Sequence, residues 1–250
     1  MKIAFISDIH SNIVAFEAVM KKIRDLKVHE IYFLGDAVGY GPWPVETIEL
    51  LQKVCTNNVL GNHDAGVVGK TNIANYYDAA RYVMFWTKEQ LDEKALSFIN
   101  SFPYIRTRED TEVDFMTSHG SPRKPQSFEY VFDVTSARKL YDRHSFLKSV
   151  NFVGHSHIMS FVVLPRDGHP VELDLSSGKI VLDFDAPSVC SVGSVGQPRD
   201  GDPRSGFVVL DTESRFITFH RVAYDVSSVV NKIYELKLPR SFGDRLTEGY

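Results

Sequence analysis

The residues of this 250-residue chain that could do chemistry together fall in five short blocks. Asp8 and His10 lie in Asp8-Ile9-His10, Asp36 in Leu34-Gly35-Asp36, and Asn62, His63 and Asp64 in Gly61-Asn62-His63-Asp64. His119 lies in Ser118-His119-Gly120, and His155 and His157 in Gly154-His155-Ser156-His157. His10, His119, His155 and His157 are more imidazoles than one metal ion with an open position would take. With Asp8, Asp36 and Asn62 they form a mixed nitrogen and oxygen set sufficient for two cations. Donors of this kind, without thiolate, suit manganese, iron or zinc and fit calcium poorly. Two such ions ~3.5–4 Å apart hold a hydroxide and clamp a phosphoryl group. A carboxylate is the natural bridge, because its two oxygens can serve both ions. Asp36, on the central loop of the series, is the expected bridge.

Each block follows a strand-like run. The apolar, β-branched stretch 3–6 stops at Ser7-Asp8, as a buried strand would. Ile13, Phe16, Met20, Ile23 and Leu26 recur at helical spacing over 12–26, with Ser11 or Asn12 as N-cap. Strand-like 31–34, helix-like 45–53 and strand-like 54–60 follow, which implies right-handed crossovers and a parallel sheet. The stretch 70–101 reads as a helical insertion whose aromatics, from Tyr76 to Trp86, are assigned to core packing rather than to a base-stacking surface. Strand 113–117, helix 134–141 and strand 151–153 come next. Closely spaced strands over 161–164, 179–184, 188–192, 207–211 and 216–222 are separated by Gly, Pro and Asp-Gly turns. A helix over 226–236 precedes a polar tail with one more turn. This pattern predicts one domain over 1–250, with a parallel first half and an antiparallel second half. In an open parallel sheet the strand ends line one edge, where ligands bind, so the blocks converge there.

Composition narrows the class. With 43% hydrophobic and 24% charged residues the chain is globular. A net charge of −4 without a basic run argues against a dedicated nucleic-acid binder. No apolar run approaches the ~20 residues of a membrane span, and five residues between Met1 and Ser7 are too few for a signal sequence. Cys55 and Cys190 make no disulfide framework or Cys-x-x-Cys pair. A cytoplasmic protein is expected. His29, His144, His169 and His220 belong to no block and are assigned structural or solvent-facing places. There is no Gly-x-Ser-x-Gly elbow, no Gly-x-Gly-x-x-Gly after the first strand and no Walker lysine, which disfavours serine hydrolases and nucleotide folds.

The five blocks, in order from Asp8 to His157, resemble the signature of the calcineurin-like metallophosphoesterases. Any one block is weak, whereas the ordered set at strand ends is specific. The resemblance implies an α/β fold: a four-layer αββα sandwich of two mixed sheets flanked by helices, here with the helical insertion. It implies a binuclear centre in which Asp8, His10, His157 and the bridging Asp36 hold one ion, and Asp36, Asn62, His119 and His155 the other. His63 would donate a proton or bind phosphate, and Asp64 would orient it.

The sequence departs from part of that family. Protein Ser/Thr phosphatases and symmetric dinucleoside-polyphosphate hydrolases of this kind carry an arginine four residues after the bridging aspartate, where this chain has Tyr40. A phenol cannot replace a guanidinium fork, and the chain resembles the small bacterial and archaeal phosphodiesterase-like branch more closely. Gly193-Ser194-Val195-Gly196-Gln197-Pro198-Arg199-Asp200 resembles a loop of that branch, although its composition reads first as a turn between strands. Arg199, Arg204, Arg123 and Tyr40 are candidate substrate contacts. The expected function is hydrolysis of a small nucleotide-type phosphodiester by a hydroxide bridging two divalent ions. Manganese or iron is preferred, with zinc, nickel or magnesium as alternatives. A phosphomonoesterase, a dinucleoside polyphosphate hydrolase and a non-catalytic metal-binding scaffold remain the competing readings. The partner is a small phosphoester; the oligomeric state has no sequence signal.

Overall fold

The computed structural model describes residues 1–182 and 185–250. The chain opens with β1 (Lys2–Ile6), α1 (Ile13–Asp25), β2 (Glu30–Phe33), α2 (Pro44–Val54) and β3 (Asn57–Asn58). The three strands are parallel, and the asparagine that caps α1 is Asn12, whose side chain accepts the Ala15 N–H at 3.1 Å. Next come α3 (Asn62–Val67), α4 (Asp78–Gln90), α5 (Glu93–Asn100), β4 (Ile105–Arg108), β5 (Phe115–Ser118), α6 (Val134–Ala137) and β6 (Val150–Val153). The chain then runs through β7 (Met159–Val163), β8 (Val171–Glu172), β9 (Lys179–Val181), β10 (Ser188–Val192), β11 (Ser205–Asp211) and β12 (Phe216–Val222). It closes with α7 (Val226–Glu235) and α8 (Arg240–Glu248).

These strands form two mixed sheets, ordered β3-β2-β1-β11-β12-β9 and β4-β5-β6-β10-β7-β8. Their inner faces meet over Phe5, Phe115, Phe152 and Phe161. The Phe5 and Phe152 rings stack at 3.6 Å, and the Phe115 ring stands edge-on to Phe5 at 5.2 Å. Phe16, Met20 and Ile23 of α1 and Ile48 and Leu51 of α2 cover the outer face of the first sheet. Val131, Ala137 and Leu140 cover that of the second. The result is the helix–sheet–sheet–helix sandwich, with a thin fourth layer: the expected helix over 134–141 is the short α6 followed by a 3₁₀ segment, Arg138–Arg143.

Several elements differ from the sequence expectation. The division into parallel and antiparallel halves is imperfect, because β10 pairs parallel with β6 while β11 lies antiparallel beside β1. The expected strand 54–60 shrinks to β3 because α2 runs on through Val54. The edge strand β4 carries two arginines and no apolar alternation; Arg106 donates to the Asn58 carbonyl and Arg108 pairs with Glu30. The polar tail holds a full helix, α8, anchored by Phe242 and Leu246 against α7. Of the strand expected over 179–184, Lys179–Val181 forms β9, and Asp183 and Phe184 lie outside the described residues. Among the described residues, no helix is long and apolar enough to cross a membrane.

The stacked Phe5–Phe152 pair joins the sheets a few residues before Asp8 and His155. Replacing Phe152 with alanine removes a fully buried ring, and a loss of about 3–5 kcal/mol is expected. Equilibrium urea denaturation measures it; a loss below about 1 kcal/mol would show that the sheets do not depend on this contact.

Candidate metal centre

Every candidate ligand lies on a loop just beyond the C-terminal end of a strand or, for Asn62, on the first residue of α3. The backbone there is unusual: Asp8, His10, Asp36, His155 and His157 have φ of 54°, 49°, 60°, 68° and 61°. A non-glycine residue in the left-handed region is disfavoured and persists only where surroundings over-determine it. Here the loops hold one another. Asp8 N–H donates to the Gly35 carbonyl at 2.9 Å, His10 N–H to that of Asp36 at 3.0 Å, and Gly154 N–H to that of His119 at 2.9 Å. The fit leaves no room for a side chain at Gly61, where a Cβ would lie 2.1 Å from Asp36 Oδ1.

The side chains converge in groups that share atoms. Asp8, His10 and His157 offer ligand atoms within 4.8 Å of one another, as do Asp36, His119 and His155, and also His10, Asp36 and His63. Asp36 Oδ2 lies 3.7 Å from His10 Nε2 and 3.3 Å from His119 Nε2, between the first two groups. Asp36 Oδ1 accepts the His63 N–H at 2.8 Å. A single oxygen, rather than the two expected from sequence, therefore faces both groups. Asn62 Oδ1 lies 3.0 Å from His119 Nε2. The ring Nδ1 atoms of His10, His119 and His157 face the carbonyls of Val38, Leu34 and Gln197. A carbonyl only accepts, so each Nδ1 bears a proton and each Nε2 is the atom turned to the centre.

This donor set fits cations. Asp8 Oδ1 is buried and has no hydrogen-bond partner, while Oδ2 of the same carboxylate accepts the His155 N–H at 3.0 Å. An orphaned carboxylate oxygen at the meeting point of several imidazoles is the environment a metal ion satisfies. Electrostatics agree. Burial works against charge on Asp8 and Asp36, yet His157 and His119 hold Asp8, and His119 holds Asp36, well below the usual carboxylate range. Burial also opposes charge on His119, but Asp36 and then Asp8 outweigh it and lift its pKa to about 9. His155 is pushed down to about 3 by burial and then by His119, and His63 to about 4, chiefly by burial. Burial likewise keeps His10 and His157 below the ordinary imidazole value.

The groups open into a cleft of about 550 Å³ lined by Asp36, Asn62, His63, His155 and His157 on its floor. Three sequence assignments are corrected. Asp64 does not orient His63: its carboxylate accepts the N–H groups of Asp36, Ala37 and Gly61 at 2.8, 2.9 and 3.2 Å, and His63 Nδ1 has no partner. It is a brace for the Asp36 loop, its pKa pushed up to about 7 by burial and the Asp36 charge. Arg123 does not face the cleft, because Asp142 holds it at 2.9 Å on the surface. Arg204 is likewise occupied by Asp202 at 2.6 Å. Arg199 does reach the cleft, with its guanidinium 5.7 Å from the Tyr40 ring and Nη2 on Gln197 Oε1 at 2.7 Å. The loop 193–200 is thus more than a turn between strands, since its Gln197 carbonyl meets His157 and its Arg199 enters the cleft. Tyr40 is buried beside His10 and His63, at ring separations of 4.6 and 4.4 Å. Tyr77 and Tyr130 also line the cleft; Tyr130 had no signal, standing in an irregular segment outside every block.

Comparison with known proteins agrees with this centre. The family model for calcineurin-like phosphoesterases matches residues 1–161. An uncharacterized protein of Methanocaldococcus jannaschii, MJ0912, is 36% identical over 252 residues, covering 99% of this chain and 98% of its own. The crystal structure of a metallophosphoesterase from Sphaerobacter thermophilus superposes with a TM-score of 0.84 at 32% identity, over 100% of this chain and 99% of that one. The fold is also that of protein PH1004 from Pyrococcus horikoshii, with a TM-score of 0.81 at 20% identity and coverage of 100% and 98%. The chain belongs to the calcineurin-like phosphoesterase family, and is a metal-dependent phosphoester hydrolase.

Because His119 holds a proton at neutral pH in the metal-free protein, an ion that takes its Nε2 must displace that proton. Metal binding is expected to release about one proton near pH 7, so apparent affinity should rise about tenfold per pH unit there. Calorimetry in buffers of different ionisation heat measures the release. Binding without proton uptake by the buffer would show that His119 is already neutral in the metal-free protein.

Proposed function

We propose that the protein is a binuclear metal-dependent phosphodiesterase acting on a small diester. The observation that carries this reading is the place of Asp36 Oδ2, within 3.7 Å of His10 Nε2 and 3.3 Å of His119 Nε2. Asp8, His10, His157 and Asp36 would hold one divalent ion, and Asp36, Asn62, His119 and His155 the other. Manganese or iron suits these donors best, ahead of zinc, nickel or magnesium. When bound, such a pair supplies a hydroxide nucleophile at neutral pH and an electrophilic clamp for phosphoryl oxygens.

The chain's own residues do the rest. Among the described residues Arg199 is the one arginine or lysine lining the cleft; its Nε is buried without a partner, and it would hold a phosphoryl oxygen. One such cation matches the single negative charge of a diester, and the cleft has room for two ester arms. His63 lines the cleft, with its Nδ1 buried against Gly39 and its ring 4.9 Å from that of His10. A phosphoryl anion beside it raises its proton affinity, which makes it the donor to the departing oxygen. Two arms of different size on the substrate would then be distinguished by the cleft walls, not by the centre.

Asp36→Asn and His155→Ala should remove bound metal, measured by elemental analysis, together with turnover of methyl p-nitrophenyl phosphate. Full activity in either variant means that the centre is misassigned. His63→Asn should retain metal while kcat falls about 10²–10⁴-fold, and the loss should be larger for an alkoxide than for a nitrophenolate leaving group. Equal losses on both leaving groups would remove His63 from the donor role.

A further inference from the structure

We propose that the cleft takes the nucleobase of its substrate by stacking it on Tyr130 or Tyr77, which makes the substrate a nucleoside-bearing phosphodiester. This rests on the phosphodiesterase reading and deepens it.

Tyr130 lies flat on His155, with ring centroids 4.0 Å apart and planes 10° from parallel. It is nevertheless 49% exposed and lines the cleft, so one face is covered by the imidazole and the other is open to an occupant. Tyr77 is 48% exposed and lines the same cleft. Its contacts belong to the opposite side of the centre: its ring meets Phe242 edge-on at 6.5 Å, Phe242 packs on Tyr40 at 4.9 Å, and Tyr40 packs on His10 and His63. One aromatic surface therefore flanks the His155 side, and another flanks the His10 and His63 side. A phosphoryl group held between the two groups of ligands would lie between these two surfaces.

Large aromatic rings left half open inside a polar cleft are planar binding surfaces that a flat aromatic arm covers face to face. Beyond the floor residues and Arg199, the cleft wall offers uncharged donors and acceptors, among them Asn72 and Gln126. These are the groups that read the edge of a base, and among the described residues no lysine or glutamate lines the cleft to select a charged headgroup. Tyrosine is suited to this use because it offers a large face at small conformational cost. Base stacking on a single aromatic side chain is expected to contribute about 5- to 150-fold in affinity.

The test compares two diesters with the same leaving group, thymidine 5′-(p-nitrophenyl) phosphate and methyl p-nitrophenyl phosphate, on the manganese-loaded protein. The nucleoside ester should have a kcat/KM about 10- to 100-fold higher. Tyr130→Leu or Tyr77→Leu should collapse that ratio, whereas the matching phenylalanine variants should preserve it. Equal kcat/KM for the two esters in the wild-type protein, or a ratio that survives both leucine variants, overturns the stacking proposal while leaving the phosphodiesterase reading intact. If neither ester is hydrolysed, the phosphodiesterase reading fails, and equilibrium dialysis of AMP against ribose 5-phosphate decides the stacking separately. Tighter binding of AMP that is lost in a leucine variant supports it, and equal binding of the two overturns it.

Discussion

Two ionised carboxylates, Asp8 and Asp36, are buried at the junction of the two sheets, and most of the surrounding structure answers to that fact. An unpaired buried charge costs several kcal/mol, so such a pair persists only where positive charge is supplied. The supply is organised in layers. Imidazoles stand around the carboxylates, backbone carbonyls fix the orientation of three of those rings, and His119 carries a proton where a stronger cation belongs. Asp64 completes the arrangement from behind by gathering three N–H groups of the Asp36 and Gly61 backbone. The centre is therefore built as a receptor for cations before any ion arrives.

The sheet topology supplies the positions. Parallel β1, β2 and β3 send their C-terminal ends to one edge, and parallel β5 and β6 do the same from the second sheet. The last contribution comes from the loop between β10 and β11. Its Val195 and Gly196 N–H groups donate to the carbonyls of Ser7 and Asp8, and the Asn12 side chain donates to that of Gly196. Asp200 in turn is held by Arg221 of β12. Within that loop Gln197 uses its backbone for His157 and its side chain for Arg199. The placement of Arg199 in the cleft and the orientation of a candidate ligand thus share one residue.

Much of this was legible in the sequence because chemistry and strand ends coincide. The apolar runs before Asp8, Asp36, His119 and His155 announce both a buried strand and the edge it leads to, and the structure gathers those residues. What stayed hidden depends on three-dimensional facing. Asp64 follows His63 directly, yet the turn into α3 sends the two side chains to different partners, and no spacing rule reveals that. Arg123 lies close to His119 in sequence, but Asp142, 19 residues on, captures it. β4 escaped notice because an edge strand with Arg106 and Arg108 lacks the alternation that marks a half-buried one. The aromatics after residue 70 divide unexpectedly: Tyr76 and Tyr77 face the cleft, while Trp86 packs towards the C-terminal helices. A helical period shows which residues share a face, but not which neighbour that face meets.

The left-handed backbone at Asp8, His10, Asp36, His155 and His157 has an evolutionary consequence. At each of these positions glycine would relieve backbone strain, and at the two aspartates it would also withdraw a buried anion. Selection for folding alone therefore pushes these sites towards their own erasure, in the sense of the trade-off between stability and activity. A lineage released from the need for hydrolysis would shed its ligands by mutations that leave the sandwich sturdier than before. The same scaffold could then survive as an inert, durable body.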